Sequence, residues 1–139
     1  TICEIGSGYG GQSKIFLDYG CKSVSLIDRN QTLNLAKKYI SKFKYKNVNF
    51  YNTDNITNDK YDVVVSNWCI CELDREGTTF YLKNVVKNSN YGYFLTNYRN
   101  KQNTDWFVEQ LQSIYSKVTV EEENPKTNSN TNYAILCKK

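Results

Sequence analysis

Histidine is absent from the 139-residue chain, and with it the commonest general base and the commonest transition-metal ligand. Chemistry here therefore falls to carboxylates, tyrosines, amides or the backbone, and no metal site is expected. No run of about 18 apolar residues occurs, and no basic-then-apolar leader precedes the first apolar segment, so neither a membrane span nor a signal peptide is read in this piece. The five cysteines, Cys3, Cys21, Cys69, Cys71 and Cys137, make no even framework. Cys69 and Cys71 form a C-x-C that lacks the paired C-x-x-C knuckles of a zinc site. Reduced thiols in a cytoplasmic protein are the expectation. Methionine is missing too, and Ile2 already lies inside what reads as a strand. A piece of a longer protein is expected, truncated upstream of Thr1, where a further element would contribute to the substrate site.

What is present fits one α/β domain over residues 1–139. Hydrophobic residues make up 40% of the chain and the net charge is only +4, enough apolar content for one core and too little length for two. Ile2 to Ile5 reads as a strand, and residues 11–19 as a helix with Ile15 and Phe16 inward and Gly20 closing it. Ser23 to Asp28 is a second strand, and Asn30 caps a helix carrying Leu33, Ala36, Ile40 and Phe43 at helical spacing. Val48 to Tyr51 is a third strand. Tyr61 to Ser66, with Val63, Val64 and Val65 unbroken, suits a central strand buried on both faces. A helix over Arg75 to Lys87, a strand over Tyr91 to Thr96 and a helix over Asp105 to Tyr115 capped by Thr104 continue the alternation. Lys117 to Glu123 and Asn132 to Cys137 have no helix between them and should pair antiparallel. The fold class expected is a Rossmann-like, open, mostly parallel sheet with helices on both faces and a C-terminal antiparallel hairpin.

The stretch ICEIGSGYGG, Ile2 to Gly11, ends the first strand in a glycine loop. In such a sheet the ligand crevice lies outside the carboxyl ends of the strands, at the switch point beside strand one. Gly6 allows the tight turn, Gly8 the close approach of a ligand, and Gly10 or Gly11 the packing of helix on strand. The glycines fit a dinucleotide and S-adenosylmethionine (SAM) alike. Asp28, about 20 residues past the loop, can accept both hydroxyls of an unphosphorylated ribose, and that also serves both ligands. Its plainer reading is an Asx cap on the next helix. Glu4 separates the two, because a carboxylate beside the loop repels a pyrophosphate and attracts an ammonium or sulfonium. The alternative for Glu4 is a buried carboxylate satisfied locally.

Glu4, Gly6, Gly8 and Gly10 as E-x-G-x-G-x-G, with Asp28 at the end of strand two, resemble motifs I and II of the class I SAM-dependent methyltransferases. The resemblance spans the whole chain. It implies SAM as cofactor, with the loop, Ser7 included, around its methionine part, Asp28 on the ribose and Arg29 beside it. Asp54 matches the family's adenine-binding acid, with Asn55 next to the ring. Asn67 and Trp68 fall in motif IV, where the chain departs from the Asn/Asp-Pro-Pro-aromatic signature of enzymes that methylate exocyclic base amines; proline occurs only at Pro125. The segment from Ser66 to Asn97 is similar to sugar O-methyltransferases associated with polysaccharide biosynthesis, through Ser66, Asn67, Glu72, Leu73, Arg75, Tyr81, Asn88, Ser89, Gly92, Tyr93 and Asn97.

O-methylation needs a base or polar clamp at the exit of strand four. Without histidine the candidates are Glu72 and Asp74, helped by Asn67. Asp74 is equally a helix N-cap, and Glu72 equally a partner for Arg75. Tyr98 and Arg99 line the same edge. Lys37, Lys38, Lys42, Lys44 and Lys46, interleaved with Tyr39, Phe43 and Tyr45, resemble a nucleic-acid grip but read as the wet face of a helix and its exit loop, so no nucleic acid is expected as partner. The substrate class expected is a small molecule or sugar. Two rivals stand beside this reading. An NAD-dependent oxidoreductase has no use for Glu4 and wants a proton donor such as Tyr-x-x-x-Lys, which does not occur. A catalytically degenerate binding domain would show a broken loop or a lost ribose acid.

Overall fold

Apolar strands of four to eight residues alternate with helices whose inner stripes repeat every three or four residues, and that alternation builds the sheet. The computed structural model describes residues 1–97, 101–127 and 132–139. In chain order the elements are β1 (Ile2–Ile5), α1 (Gly11–Asp18), β2 (Val24–Ile27), α2 (Asn30–Ile40), β3 (Val48–Tyr51) and β4 (Tyr61–Asn67). They continue with α3 (Arg75–Asn84), β5 (Ser89–Thr96), α4 (Lys101–Gln112), β6 (Lys117–Glu122) and β7 (Tyr133–Lys138). Single 3-10 turns cover Ile70–Glu72 and Val86–Asn88. The sheet runs β3-β2-β1-β4-β5-β7-β6. Its first five members are parallel, and β7 inserts antiparallel between β5 and β6. This is the expected open, mostly parallel sheet with a reversed C-terminal pair, and its order reverses between β1 and β4.

The two-residue period of the strands sorts their side chains to two faces. Val24 and Leu26 of β2 pack with Leu33 and Ala36 of α2, while Ile27 joins Cys3, Ile5, Val64, Phe94, Phe107, Leu111 and Ile135 on the other side. Phe94 and Phe107, both fully buried, meet edge to face with centroids 5.4 Å apart, the arrangement the ring quadrupoles favour.

Local details correct the sequence reading. Ile15 points outward, 53% exposed, because Ser13 takes the inward position on α1 and is fully buried. The α2 N-cap is Arg29 rather than Asn30; the Asn30 side chain instead accepts from Asn52 Nδ2 at 2.8 Å. Helix α2 stops at Ile40, where 3-10 bonds from Lys42 N and Phe43 N take over, so Phe43 lies beyond it and packs between the rings of Tyr39 and Tyr45. Helix α4 starts at Lys101, which makes Thr104 a buried interior residue and not a cap. Gly20 closes α1 as expected, with φ +85°. Tyr98 and Arg99 lie outside the described residues. Among the described residues no helix is long and apolar enough to cross a membrane. Phe94→Ala removes the ring at the centre of the larger core and should cost about 3–5 kcal/mol, read as a drop in unfolding free energy by denaturant titration.

Candidate functional site

The chain leaves β1 through a loop that carries glycine at each of its left-handed positions. Gly6, Gly8 and Gly10 all have positive φ, at 78°, 55° and 88°. A Cβ on Gly6 would stand 2.6 Å from Cys69 Sγ and closer still to its Cβ, and one on Gly10 would press on Leu26 and Ile40. A Cβ on Gly8 would meet nothing within 4 Å: this is the glycine open to a ligand. Opposite the loop, β4 ends at Asn67, and Trp68 turns the chain with φ 67°, a left-handed conformation that costs a bulky residue about 1–3 kcal/mol. The turn is held by the Trp68 N–H donating to Leu95 O at 2.9 Å and by Cys71 Sγ donating to Trp68 O at 3.0 Å. It lays Cys69 on Gly6.

Between the loop and this turn opens a cleft of about 500 Å³. Gly6 and Gly8 form one wall, and Ile27, Asp28, Arg29 and Thr32 come from the end of β2 and the start of α2. Asn67, Trp68, Cys69, Glu72 and Leu73 follow β4, and Tyr81 reaches in from α3. Thus Gly6, Gly8, Asp28, Arg29, Asn67, Trp68 and Glu72, separated by up to 66 positions, share one cleft as the sequence reading grouped them.

Other candidates stand apart from the lining. Asp54 and Asn55 are exposed in the turn after β3, where Asn55 Oδ1 accepts from Asn52 N at 2.6 Å and Asn52 Oδ1 accepts from Asp54 N at 3.0 Å. Asp74 is the N-cap of α3, its Oδ1 accepting from Gly77 N at 2.7 Å. Glu4 and Ser7 are buried beneath the loop, at 4% and 6% exposure.

Glu4 accepts a hydrogen bond from the Ser13 hydroxyl. Burial pushes its carboxyl up to about 7; the Ser13 hydroxyl and main-chain N–H pull the other way, and the Asp28 charge adds to the rise. Asp28 Oδ2 accepts from Gly8 N at 2.9 Å and its Oδ1 from Arg29 N at 2.7 Å. The Gly8 N–H therefore faces a carboxylate. Burial raises the Cys69 thiol to about 11, and the Asp28 and Glu72 carboxylates push the same way against Arg29, so this cysteine is no thiolate nucleophile. Burial also lifts the Tyr81 phenol to about 12, and it stays protonated as a donor.

The field in the cleft is negative. Asp28 and Glu72 line the cleft, with Arg29 as the one cation in its lining, while Glu4 lies buried behind the wall with its carboxyl held toward the neutral form. Three buried polar atoms at the ends of β1 and β4, Ser7 Oγ, Ser66 Oγ and Asn67 Oδ1, have no protein partner, and Asn67 is itself part of the lining. Two lining carboxylates against one guanidinium favour a ligand carrying positive charge over a pyrophosphate. Cys69, Tyr81 and the Ser13 contact to Glu4 were not foreseen. The Ser13 contact joins consecutive elements, whereas the other two depend on elements far apart in the chain, and only the β1/β4 register, with Glu4 opposite Val65, would have signalled the approach of Cys69 to Gly6. Among the described residues no cluster of three or more His, Cys, Asp or Glu is placed to hold a metal ion.

No family model and no curated protein matches the chain. Solved structures do match its fold. The magnesium protoporphyrin IX methyltransferase ChlM from Synechocystis, with bound SAM, aligns with TM-score 0.76 at 14% identity over 99% of this chain and 69% of that one. The methyltransferase domain of bacterial CtHen1-CN aligns with TM-score 0.74 at 16% identity, over 99% and 89%. An O-methyltransferase family protein from Burkholderia thailandensis aligns with TM-score 0.73 at 14% identity, over 99% and 50%. The chain thus has the Rossmann-like fold of methyltransferases whose names point to different substrates.

The Glu4 value generates a prediction. Its folded-state value, about 7 against an ordinary 4.5, means folding favours the protonated carboxyl. That contribution is whole below the unfolded value and is lost as pH rises through the folded one. Glu4→Gln should therefore stabilise the ligand-free chain by up to about 3 kcal/mol near pH 8 and by little near pH 4, a gap that thermal unfolding across that range measures.

Proposed function

We propose that the chain is a SAM-dependent methyltransferase that methylates a hydroxyl oxygen, with a sugar or glycan hydroxyl as the substrate class. One observation carries the cofactor reading: the Gly8 N–H, which a dinucleotide pyrophosphate would need, donates to Asp28 in a cleft whose charged walls are mainly carboxylates. A sulfonium and an ammonium suit that field, and a pyrophosphate opposes it. The fold shared with methyltransferases, one of them holding SAM, supports the same reading.

In this proposal Asp28 accepts the ribose hydroxyls, with Arg29 beside it. Gly6, Ser7, Gly8 and Gly10 shape the wall for the methionine part, Glu4 stands below it as a carboxyl that an arriving cation would help to ionise, and Asn67 and Trp68 close the opposite side. Asp54 and Asn55, in the exposed turn after β3, are placed toward the adenine. The bound cofactor supplies an electrophilic methyl on a positively charged sulfur. The chain's own part is to hold a hydroxyl in line with that methyl, to exclude water and to take one proton. Glu72 is the proposed acceptor: it sits at the rim on the 3-10 turn after β4 and lines the cleft. As the oxygen gains the methyl, the hydroxyl proton passes to the Glu72 carboxylate. Asp74 is the weaker candidate, since one of its oxygens already caps α3. The sugar assignment draws on the Ser66 to Asn97 resemblance and on Ser-Asn-Trp standing where base-amine methyltransferases carry prolines.

Calorimetric titration with S-adenosylhomocysteine, and with NAD in parallel, tests the cofactor. Micromolar binding of the first alone is expected, and Asp28→Ala should weaken it at least about tenfold. NAD binding in its place, or binding of neither, overturns the reading. For the chemistry, Glu72→Gln should lower kcat about a hundredfold or more in methyl transfer to nucleotide sugars or glycans, and should weaken S-adenosylhomocysteine far less than that. An unaltered kcat removes Glu72 from the mechanism.

A further inference from the structure

A tyrosine taken into a core ordinarily finds a partner for its hydroxyl. Tyr115, 3% exposed, obeys this: its hydroxyl pairs with Ser89 Oγ and donates to Val86 O at 3.2 Å. Tyr81 is nearly as buried, at 8% exposure, and its ring belongs to the larger core. Thr78, Tyr81 and Leu82 fall at helical spacing on the inner face of α3, which seats the ring there. Yet among the described residues the Tyr81 hydroxyl has no hydrogen-bond partner. Nor is it sealed off. The sealed polar atoms without partners at this end of the sheet are Ser7 Oγ, Ser66 Oγ and Asn67 Oδ1; the Tyr81 oxygen is not one of them, and the open space that Tyr81 lines is the cleft. After burial, the groups that act on the phenol are Cys69, Asp28 and Cys3. Cys69 and Asp28 are themselves lining residues, so the oxygen lies within electrostatic reach of the carboxylate at the end of β2.

We propose that Tyr81 is a cofactor-binding residue whose hydroxyl donates a hydrogen bond to the adenosine half of the bound molecule, beside the ribose that Asp28 holds. The inference rests on the cofactor reading above and extends it to α3, which gives the cleft no other side chain. A phenol oxygen carries its own hydrogen, so a donor is present whichever way the hydroxyl turns. Burial first, and then Cys69 and Asp28, hold that proton in place. The chemistry complements Asp28, whose carboxylate accepts from Gly8 N and Arg29 N and can take the protons of ribose hydroxyls but has none to give. Ribose oxygens and purine nitrogens are acceptors too, and Tyr81 supplies the donor that a carboxylate lacks. In the ligand-free chain an unpaired phenol in a half-closed place is unfavourable; a bound adenosine removes that penalty.

The test removes the hydroxyl and keeps the ring. Affinities of Tyr81→Phe and the wild-type chain are measured for S-adenosylhomocysteine and for methylthioadenosine, which share adenosine and differ in the amino-acid tail, together with thermal unfolding of the ligand-free proteins. Tyr81→Phe should weaken both ligands alike, by about fivefold. Its ligand-free unfolding temperature should stay level or rise, because no protein partner is lost. Tyr115→Phe is the control: it strips a hydroxyl that Ser89 and Val86 share, and should lower the unfolding temperature while leaving both affinities within about twofold. Unchanged affinities in Tyr81→Phe, a weakening confined to S-adenosylhomocysteine, or a fall in unfolding temperature as large as that of Tyr115→Phe overturns the role of Tyr81 while leaving the cofactor assignment standing. Failure of the wild-type chain to bind either ligand overturns the cofactor reading itself, and this inference with it.

Discussion

The site depends on how closely the loop after β1 passes the exit of β4. Gly6 lies against Cys69 with no room for a side-chain carbon, and Trp68 adopts a left-handed conformation to put Cys69 there. Neither feature is favourable alone. The loop loses the entropy of a glycine, and the tryptophan carries strain. Together they close the floor where the sheet order reverses, and they leave Gly8 as the position where backbone meets open space. Without that contact the two walls would part, and Asp28 and Asn67 would no longer line a common cleft.

The carboxyl groups around the cleft lie in layers. Glu4 is buried and held near neutrality by desolvation, with Ser13 tying it to α1. Asp28 is half-buried and oriented by two main-chain N–H groups. Glu72 is exposed at the rim. A cation entering the cleft lowers the cost of ionising Glu4, so cofactor binding and proton release from Glu4 are coupled under the proposed reading. Away from the cleft, Lys14 lies 4.7 Å from the Phe43 ring centroid and pairs with Asp18, and Lys37 lies 5.6 Å from the ring centroid of Phe50.

Much of this was legible in the sequence where the requirement is local. The glycine spacing reports backbone conformation directly. Asp28 ends a strand of known length, the Val63 to Val65 run marks the centre of a parallel sheet, and Asp74 three residues before Gly77 is a cap by its spacing. The reading failed where two faces compete for a helix. Ile15 is the more apolar residue, yet Ser13 turns inward because Glu4 needs a partner, and Thr104 reads as a cap although the helix begins a turn earlier. It was silent on the hydrogen bond between Gln12 and Asn67, and on Gly6 with Cys69. These pairs are 55 and 63 positions apart and meet only after β1 and β4 have paired.

Where the residues sit also explains why likeness of fold stops short of the substrate. The proposed cofactor contacts come from strand ends and from a loop pinned by sheet packing, so they are held wherever the sheet forms. The proposed acceptor Glu72 stands on a short 3-10 turn after β4 that Ile70 anchors in the core, and its own exposed position can change in composition without disturbing that anchor. Methyltransferases sharing this sheet at 14–16% identity carry names as different as a protoporphyrin enzyme and an O-methyltransferase family protein. Under the proposed reading the discriminating chemistry lies in the segment from Ser66 through Leu73, and it is there that a bound acceptor would show which hydroxyl the cleft admits.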